Sequence, residues 1–280
     1  MDYQCLDENQ VAALLPDRSP EAHKGDFGRV LLLCGSRGYT GAAALAAMGA
    51  LRCGAGLVYL GVPESIYAIE ATKLTEPIVF PLPDRDGMLC EDAIPEIRAL
   101  LSRMDAVLIG CGLGVNQGTL AVLKMVLTEF SGTVIVDADG INLLAEHKDI
   151  LRGRTGSTIL TPHAGEFARL GYGGDRMLSA KQAAEELAAI LLLKGHHTVI
   201  TDGNCTYLNL TGNPGMATGG SGDVLAGMIS AFVGQGIAAL EATAMAAWLH
   251  GRAGDICAKE LGQYAMLPSD MLEVLPRLMK

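Results

Sequence analysis

The densest chemistry in the sequence lies in Gly212-Asn213-Pro214-Gly215-Met216-Ala217-Thr218-Gly219-Gly220-Ser221-Gly222-Asp223, which runs into the apolar Val224-Leu225-Ala226-Gly227. Small residues let backbone N–H groups converge on an anion without obstruction by side chains, and a helix that follows aims its positive end at the same point. Gly219, Gly220, Ser221 and Gly222 therefore read as a phosphate cradle. Asp223 falls in the first turn of that helix and admits two readings that can coexist. It can cap the helix, or it can be a general base that takes the proton of a hydroxyl attacking phosphorus.

Other candidates follow apolar runs. Lys194 ends the run Leu191-Leu192-Leu193; it is either an edge lysine reaching for water or a phosphate ligand, and the adjacent Gly195 favours the ligand. His196 and His197 come next, but sequence neighbours tend to point apart and no third ligand lies nearby, which makes them a poor metal pair. His163 follows Thr161-Pro162 and is either a surface loop histidine or a ligand contact. Glu166, near a helix start, can serve the helix dipole. Asp137 and Asp139 suit a ribose or metal ligand or a helix cap, with a supporting role favoured. Lys24 and Arg29 flank the first strand, Lys24 as a substrate-side phosphate contact or a solvated charge.

Several familiar chemistries are excluded. No G-x-x-x-x-G-K-[ST] occurs, and Val115 stands where the third glycine of a dinucleotide G-x-G-x-x-G would follow Gly110 and Gly112. Asp223 likewise occupies the last glycine of a G-x-S-x-G nucleophile elbow. The chain of 280 residues carries 21 Lys and Arg against 31 Asp and Glu, a net charge of −10 that repels polyanions such as nucleic acid. Half of the residues are hydrophobic and the mean hydropathy is +0.30, yet the longest apolar stretches are interrupted by Arg52 and Gln235, so buried elements fit better than a membrane span. The polar N-terminus lacks a secretory pattern, and the 7 cysteines form no C-x-x-C pair, so the expectation is a cytoplasmic protein with reduced, mostly buried thiols.

Short β-branched or Leu-rich runs alternate with Ala-rich helical stretches, the pattern of a mostly parallel sheet covered on both faces. Strands are expected at 30–33, 57–60, 78–80, 106–109, 134–136, 158–160, 190–193, 199–201 and 205–209. Helices are expected at 42–53, 65–71, 91–102, 119–130, 140–145, 165–170, 179–189, 222–232, 240–258 and 268–278. No linker or repeat interrupts this alternation, so 1–280 reads as a single domain. The glycine-rich loops follow strands, at the carboxyl edge where such sheets bind ligands.

The segment GNPGMATGGSGDVLAG resembles the anion-hole signature of the ribokinase-like fold. Together with HKGDFGRVLLLCGS, TPHAGEFARL and LLLKGHHTVIT it resembles the ADP/ATP-dependent NAD(P)H-hydrate dehydratase family, in the right order from about His23 onward. The resemblance implies a three-layer α/β/α fold and dehydration of the S-epimer of NAD(P)H-hydrate at the expense of ADP or ATP, with Mg2+. It further implies Asp223 as base in contact with the hydrate, and Ala42, Gly114 and His163 as further hydrate contacts. Lys194, Gly195, His196, His197, Thr198 and Gly222 would line the nucleotide site, and Glu166 would hold Mg2+ through water. A homotetramer is implied, and because 22 residues before His23 leave no room for an epimerase domain, a separate epimerase is the expected partner. The competing readings are a vitamin-alcohol kinase of the same fold, acting on a thiazole, pyrimidine or pyridoxal, and a non-catalytic nucleotide-binding regulator.

Overall fold

In the computed structural model, which describes residues 3–279, every expected apolar run forms a strand. The strands are β1 (Arg29–Leu33), β2 (Leu57–Pro63), β3 (Ile78–Leu82), β4 (Asp84–Arg85), β5 (Met88–Leu89), β6 (Ala106–Ile109), β7 (Thr133–Val136), β8 (Thr158–Leu160), β9 (Ile190–Leu193), β10 (Thr198–Thr201) and β11 (Thr206–Asn209). The helices are α1 (Glu8–Leu14), α2 (Thr40–Arg52), α3 (Glu64–Lys73), α4 (Ile94–Leu101), α5 (Gln117–Glu129), α6 (Asp139–Ala145), α7 (Ala164–Arg169), α8 (Arg176–Leu187), α9 (Ser221–Gly234), α10 (Ala239–Leu261) and α11 (Pro268–Leu278).

One sheet takes the order β11-β10-β9-β8-β7-β6-β1-β2-β3. Its neighbours pair in parallel except around β10, which runs antiparallel to both β9 and β11. Successive side chains of a strand face opposite sides, and β1 shows the consequence. Val30 and Leu32 join a core built with α2, α9, α10 and α11, while Leu31 and Leu33 join a second core built with α4, α5, α6 and α8. The continuous apolar strands thus feed two cores at once, and the result is a three-layer α/β/α fold.

Three local features depart from the expected elements. The helix expected at 91–102 opens as a 3-10 turn, Glu91–Ala93, and becomes α-helical only from Ile94. Pro95 has no N–H to return to the Glu91 carbonyl, so that carbonyl is taken at shorter range by the Ile94 amide. Helix α1, not foreseen, is nucleated by a reciprocal cap: the Gln10 amide donates to Asp7 and the Asp7 amide donates to Gln10, both at 2.9 Å. The β4–β5 hairpin was also not foreseen. It turns on Asp86-Gly87, with φ of 55° and 81°, the dipeptide that suits a tight hairpin.

The tightest packing lies between α2 and α9. A Cβ on Gly227 would overlap the Ala46 carbonyl, and one on Gly49 would lie 2.5 Å from the Val224 carbonyl oxygen. Only small residues let two helix backbones approach this closely, so the Ala-rich face of α2 fixes where α9 begins. That couples the position of Ala42 to that of Asp223.

Candidate active site

Strands β1, β6, β7, β8 and β9 run parallel and end at one edge, and β11, reversed twice through β10, ends there too. The loops after them carry all the glycine-rich segments singled out above. At the start of α9, Gly220 adopts φ +99°, a left-handed conformation that glycine takes without steric cost. No side chain caps this helix, and the amides of Gly222 and Asp223 find no acceptor among the described residues. The first N–H groups of a helix have no intrahelical partner, so the positive end of α9 is open toward the edge. Asp223 stands in the first turn of the helix, and its carboxylate makes no capping hydrogen bond.

Asp223 is instead one corner of a polar cluster. Its carboxylate, that of Asp137 and the Cys111 sulfur present ligand atoms within 4.8 Å of one another. Asp137, whose side chain is 2% exposed, accepts from Thr161 Oγ1 at 2.6 Å and from Lys194 Nζ at 2.8 Å through one oxygen, and from the Cys111 thiol at 3.5 Å through the other. Lys194 Nζ also lies 3.9 Å from Glu166 Oε2. A Cβ on Gly222 would sit 3.4 Å from that ammonium, so Lys194 and the open helix end meet in one place.

The charges tune one another. Burial is the main cause that pushes the Asp223 carboxyl up from 3.8 to about 6; the Asp137 charge adds to it, while the Cys111 thiol and Lys194 oppose it. For Lys194 burial works against the ammonium, but Asp137 and Glu166 outweigh it and hold its pKa above the ordinary lysine value. The group at the helix start is therefore a carboxylate with raised basicity, and the group beside it is a permanent cation. This pairing suits removal of a proton next to a phosphoryl group.

The remaining candidates take distinct places on the edge. His163 caps α7: its Nδ1 accepts from the Gly165 and Glu166 amides at 2.9 and 3.2 Å, which leaves the proton on Nε2. Glu166 returns the cap, its Oε2 accepting from the His163 amide at 2.8 Å. Gly114 donates its amide to Asp139 at 2.9 Å, and Met88 of the β4–β5 hairpin lies against it. Ala42 abuts Gly112, two residues before Gly114. His196 and His197 stack on each other, ring centroids 3.8 Å apart, in the β9–β10 turn, and Thr198 Oγ1 donates to the Gly195 carbonyl at 3.0 Å. The structure thus brings Asp223, Gly222 and Lys194 together around Asp137, and Glu166 joins them through Lys194. No hydrogen bond or ion pair ties His196 or His197 to that cluster among the described residues.

Three supporting residues carried no sequence signal of their own. Cys111 was read only as a buried thiol. His250, from α10, places Nε2 3.4 Å from Ser221 Oγ, and burial pushes it down to about 4, so it meets the start of α9 as a neutral ring. Asp255, also on α10, accepts from the Gly212 amide and from Asn213 Nδ2, each at 3.1 Å, and pins the start of the glycine-rich segment. The α10 residues lie beyond the motif in sequence, and only helix packing returns them to it.

A three-layer α/β/α fold with an open helix end and an acidic residue at the carboxyl edge of the sheet is the arrangement of a ribokinase-like protein. In agreement, the chain superposes on a hydroxyethylthiazole kinase from Pyrococcus horikoshii with a TM-score of 0.64, covering 91% of this chain and 89% of that one at 18% identity, a likeness of fold. The chain belongs to the NAD(P)H-hydrate dehydratase family, whose profile matches residues 30–277. It is 44% identical to a bifunctional NAD(P)H-hydrate repair enzyme Nnr from Moorella thermoacetica over 95% of this chain and 52% of that protein. It is 32% identical to an ADP-dependent (S)-NAD(P)H-hydrate dehydratase from Listeria monocytogenes over 96% of this chain and 94% of that protein. An ADP/ATP-dependent NAD(P)H-hydrate dehydratase from Bacillus subtilis, co-crystallised with ATP and Mg2+, superposes with a TM-score of 0.85 at 33% identity, covering 99% and 98% of the two chains. The chain spans about half the length of the bifunctional relatives. No helix among the described residues is long and apolar enough to cross a membrane.

Proposed function

We propose that this protein repairs hydrated nicotinamide nucleotides, dehydrating the S-epimer of NAD(P)H-hydrate to NAD(P)H at the expense of ADP and releasing AMP and phosphate. The observation that carries the chemistry is Asp223, held near a pKa of about 6 at the open start of α9 beside Lys194. Asp223 takes the proton of the hydrate hydroxyl, whose oxygen bonds to the terminal phosphorus of ADP as the bond to AMP breaks. The amides of Gly219 to Gly222 and the Lys194 ammonium stabilise the charge that develops. Electron release from the ring nitrogen then expels phosphate, and loss of a ring proton restores the reduced nicotinamide.

In this reading Ala42, Gly114, His163 and Asp223 contact the hydrate. Lys194, Gly195, His196, His197, Thr198 and Gly222 line the nucleotide site. The buried carboxylates of Glu166 and Asp137, both facing Lys194, are hard oxygen donors that fit Mg2+, with Glu166 holding it through water. When bound, Mg2+ neutralises phosphate charge. A kinase acting on a vitamin alcohol shares Asp223 and the anion hole; the relatives named for hydrate repair at 32% and 44% identity favour the dehydratase.

The test mixes purified protein with the separated R and S hydrates, Mg2+ and ADP or ATP, and follows recovery of reduced-nicotinamide absorbance. The expected result is nucleotide-dependent recovery from the S hydrate alone. A stable phosphorylated alcohol as product, or no recovery with the hydrate intact, overturns the reading. The same proposal makes the protein a cytoplasmic homotetramer that works with an epimerase converting the R hydrate to the S form. Light scattering is expected to give four times the chain mass of 29.3 kDa, and a monomer mass would count against the assembly.

A further inference from the structure

Arg176 opens α8, directly after the capping residue Asp175. Its Nη2 donates to the carbonyls of Leu193 and Lys194 at 3.0 and 3.4 Å, the last two residues before the turn that joins β9 to β10. The guanidinium lies over Gly195: a Cβ there would stand 2.9 Å from Nη1, 3.0 Å from Nη2 and 3.2 Å from Cζ. Arg176 is half-buried, yet no carboxylate pairs with it among the described residues, and Nε and Nη1 make no hydrogen bond there. The neighbouring Asp175 carboxylate is committed to the Met177 and Leu178 amides.

A guanidinium offers five N–H donors in a fixed fork, and here the protein employs those of a single nitrogen. In a chain with a net charge of −10, a half-buried cation without a counter-ion is a feature that an anionic ligand would complete. The two carbonyls fix the fork in place, and Gly195, which has no side chain, leaves its flank open. Lys194 turns its ammonium the other way, toward Asp137 and Gly222. The β9–β10 turn is therefore served by two cations that face different directions, its own Lys194 and Arg176 of α8.

We infer that Arg176 is a second cationic ligand of the nucleoside diphosphate, binding its phosphate chain where it crosses Gly195, while Lys194 serves the terminal phosphoryl group beside Gly222. This rests on the nucleotide site proposed above. Gly195 holds φ +147°, a conformation that favours glycine, and the missing side chain lets the guanidinium lie against the turn.

The test is calorimetric titration of ADP and of adenosine into the parent protein, Arg176→Gln and Arg176→Lys. Arg176→Gln is expected to weaken ADP binding about ten- to a hundredfold and to leave adenosine binding unchanged, since the charge-assisted contact that is lost reaches only the phosphates. Arg176→Lys is expected to recover part of the loss, and the deficit is expected to shrink as salt is added. Equal losses for ADP and adenosine would mean that Arg176 only holds the turn, and would overturn the inference. Unchanged ADP affinity in Arg176→Gln would overturn it too, while leaving the dehydratase reading intact. A parent protein that binds no adenine nucleotide would overturn the dehydratase reading itself.

Discussion

Asp223→Asn is expected to lower kcat by about 10²- to 10⁴-fold, the range a positioned general base supplies, while ADP still binds. The amide has the shape of the carboxylate but does not accept the proton, so an effect confined to turnover separates base from binding group. The pH profile gives a second readout. Asp223 acts as a base only when ionised, and burial pushes it up to about 6, so parental kcat/KM falls about tenfold per pH unit below that value. In Asp223→Asn this acid limb is absent from whatever activity remains. Unchanged turnover in the variant would remove Asp223 from the mechanism.

The same shift has a stability counterpart of definite sign. A carboxyl with a folded-state pKa above its ordinary 3.8 binds its proton more tightly in the fold than in the unfolded chain. It stabilises the fold fully below 3.8, and that contribution is lost as the pH rises through about 6. Asp223→Asn is therefore expected to raise the thermal midpoint at alkaline pH and to leave it unchanged in acid. A basic active-site carboxylate is in this sense held at the expense of the fold.

Lys194→Met is expected to cost about 3–5 kcal/mol in denaturant unfolding, because it strands the buried Asp137 charge. Asp137 would keep only the Thr161 hydroxyl and the Cys111 thiol as donors. Activity falls as well, and the acid limb of kcat/KM moves above pH 6, since Lys194 is one of the groups holding the Asp223 pKa down. Adding Asp137→Asn removes the stranded charge and is expected to restore most of the stability without restoring turnover. If the double variant is no more stable than Lys194→Met, the lysine acts through something other than its pair with Asp137.

Much of this arrangement is legible in the residues. The strands are visible because each is a short apolar run flanked by glycine or polar loops, and the layers follow because such runs must be covered on both faces. The carboxylate, the anion hole and the lysine are visible because each is written into one contiguous segment. Helix α1 and the β4–β5 hairpin also carry local signals: the Asp7 and Gln10 spacing of a capping box, and Asp86-Gly87 as a hairpin turn. Arg176 is different. It had no local signal, because its meaning depends on the carbonyls of a strand packed beside its helix.

What the sequence by itself determined is the alternation that builds the sheet, the glycines that open the start of α9, and the place of Asp223 and Lys194 at the carboxyl edge of the strands, where we propose them as base and phosphate ligand. These are properties of short segments, fixed by backbone conformation and side-chain type. The tertiary structure alone decided that Asp137 links Lys194, Thr161 and Cys111, that His250 meets Ser221, and that the Asp223 pKa stands near 6. Burial and Coulomb interaction depend on distances between groups far apart in the chain, and those distances exist only once the helices have packed on the sheet.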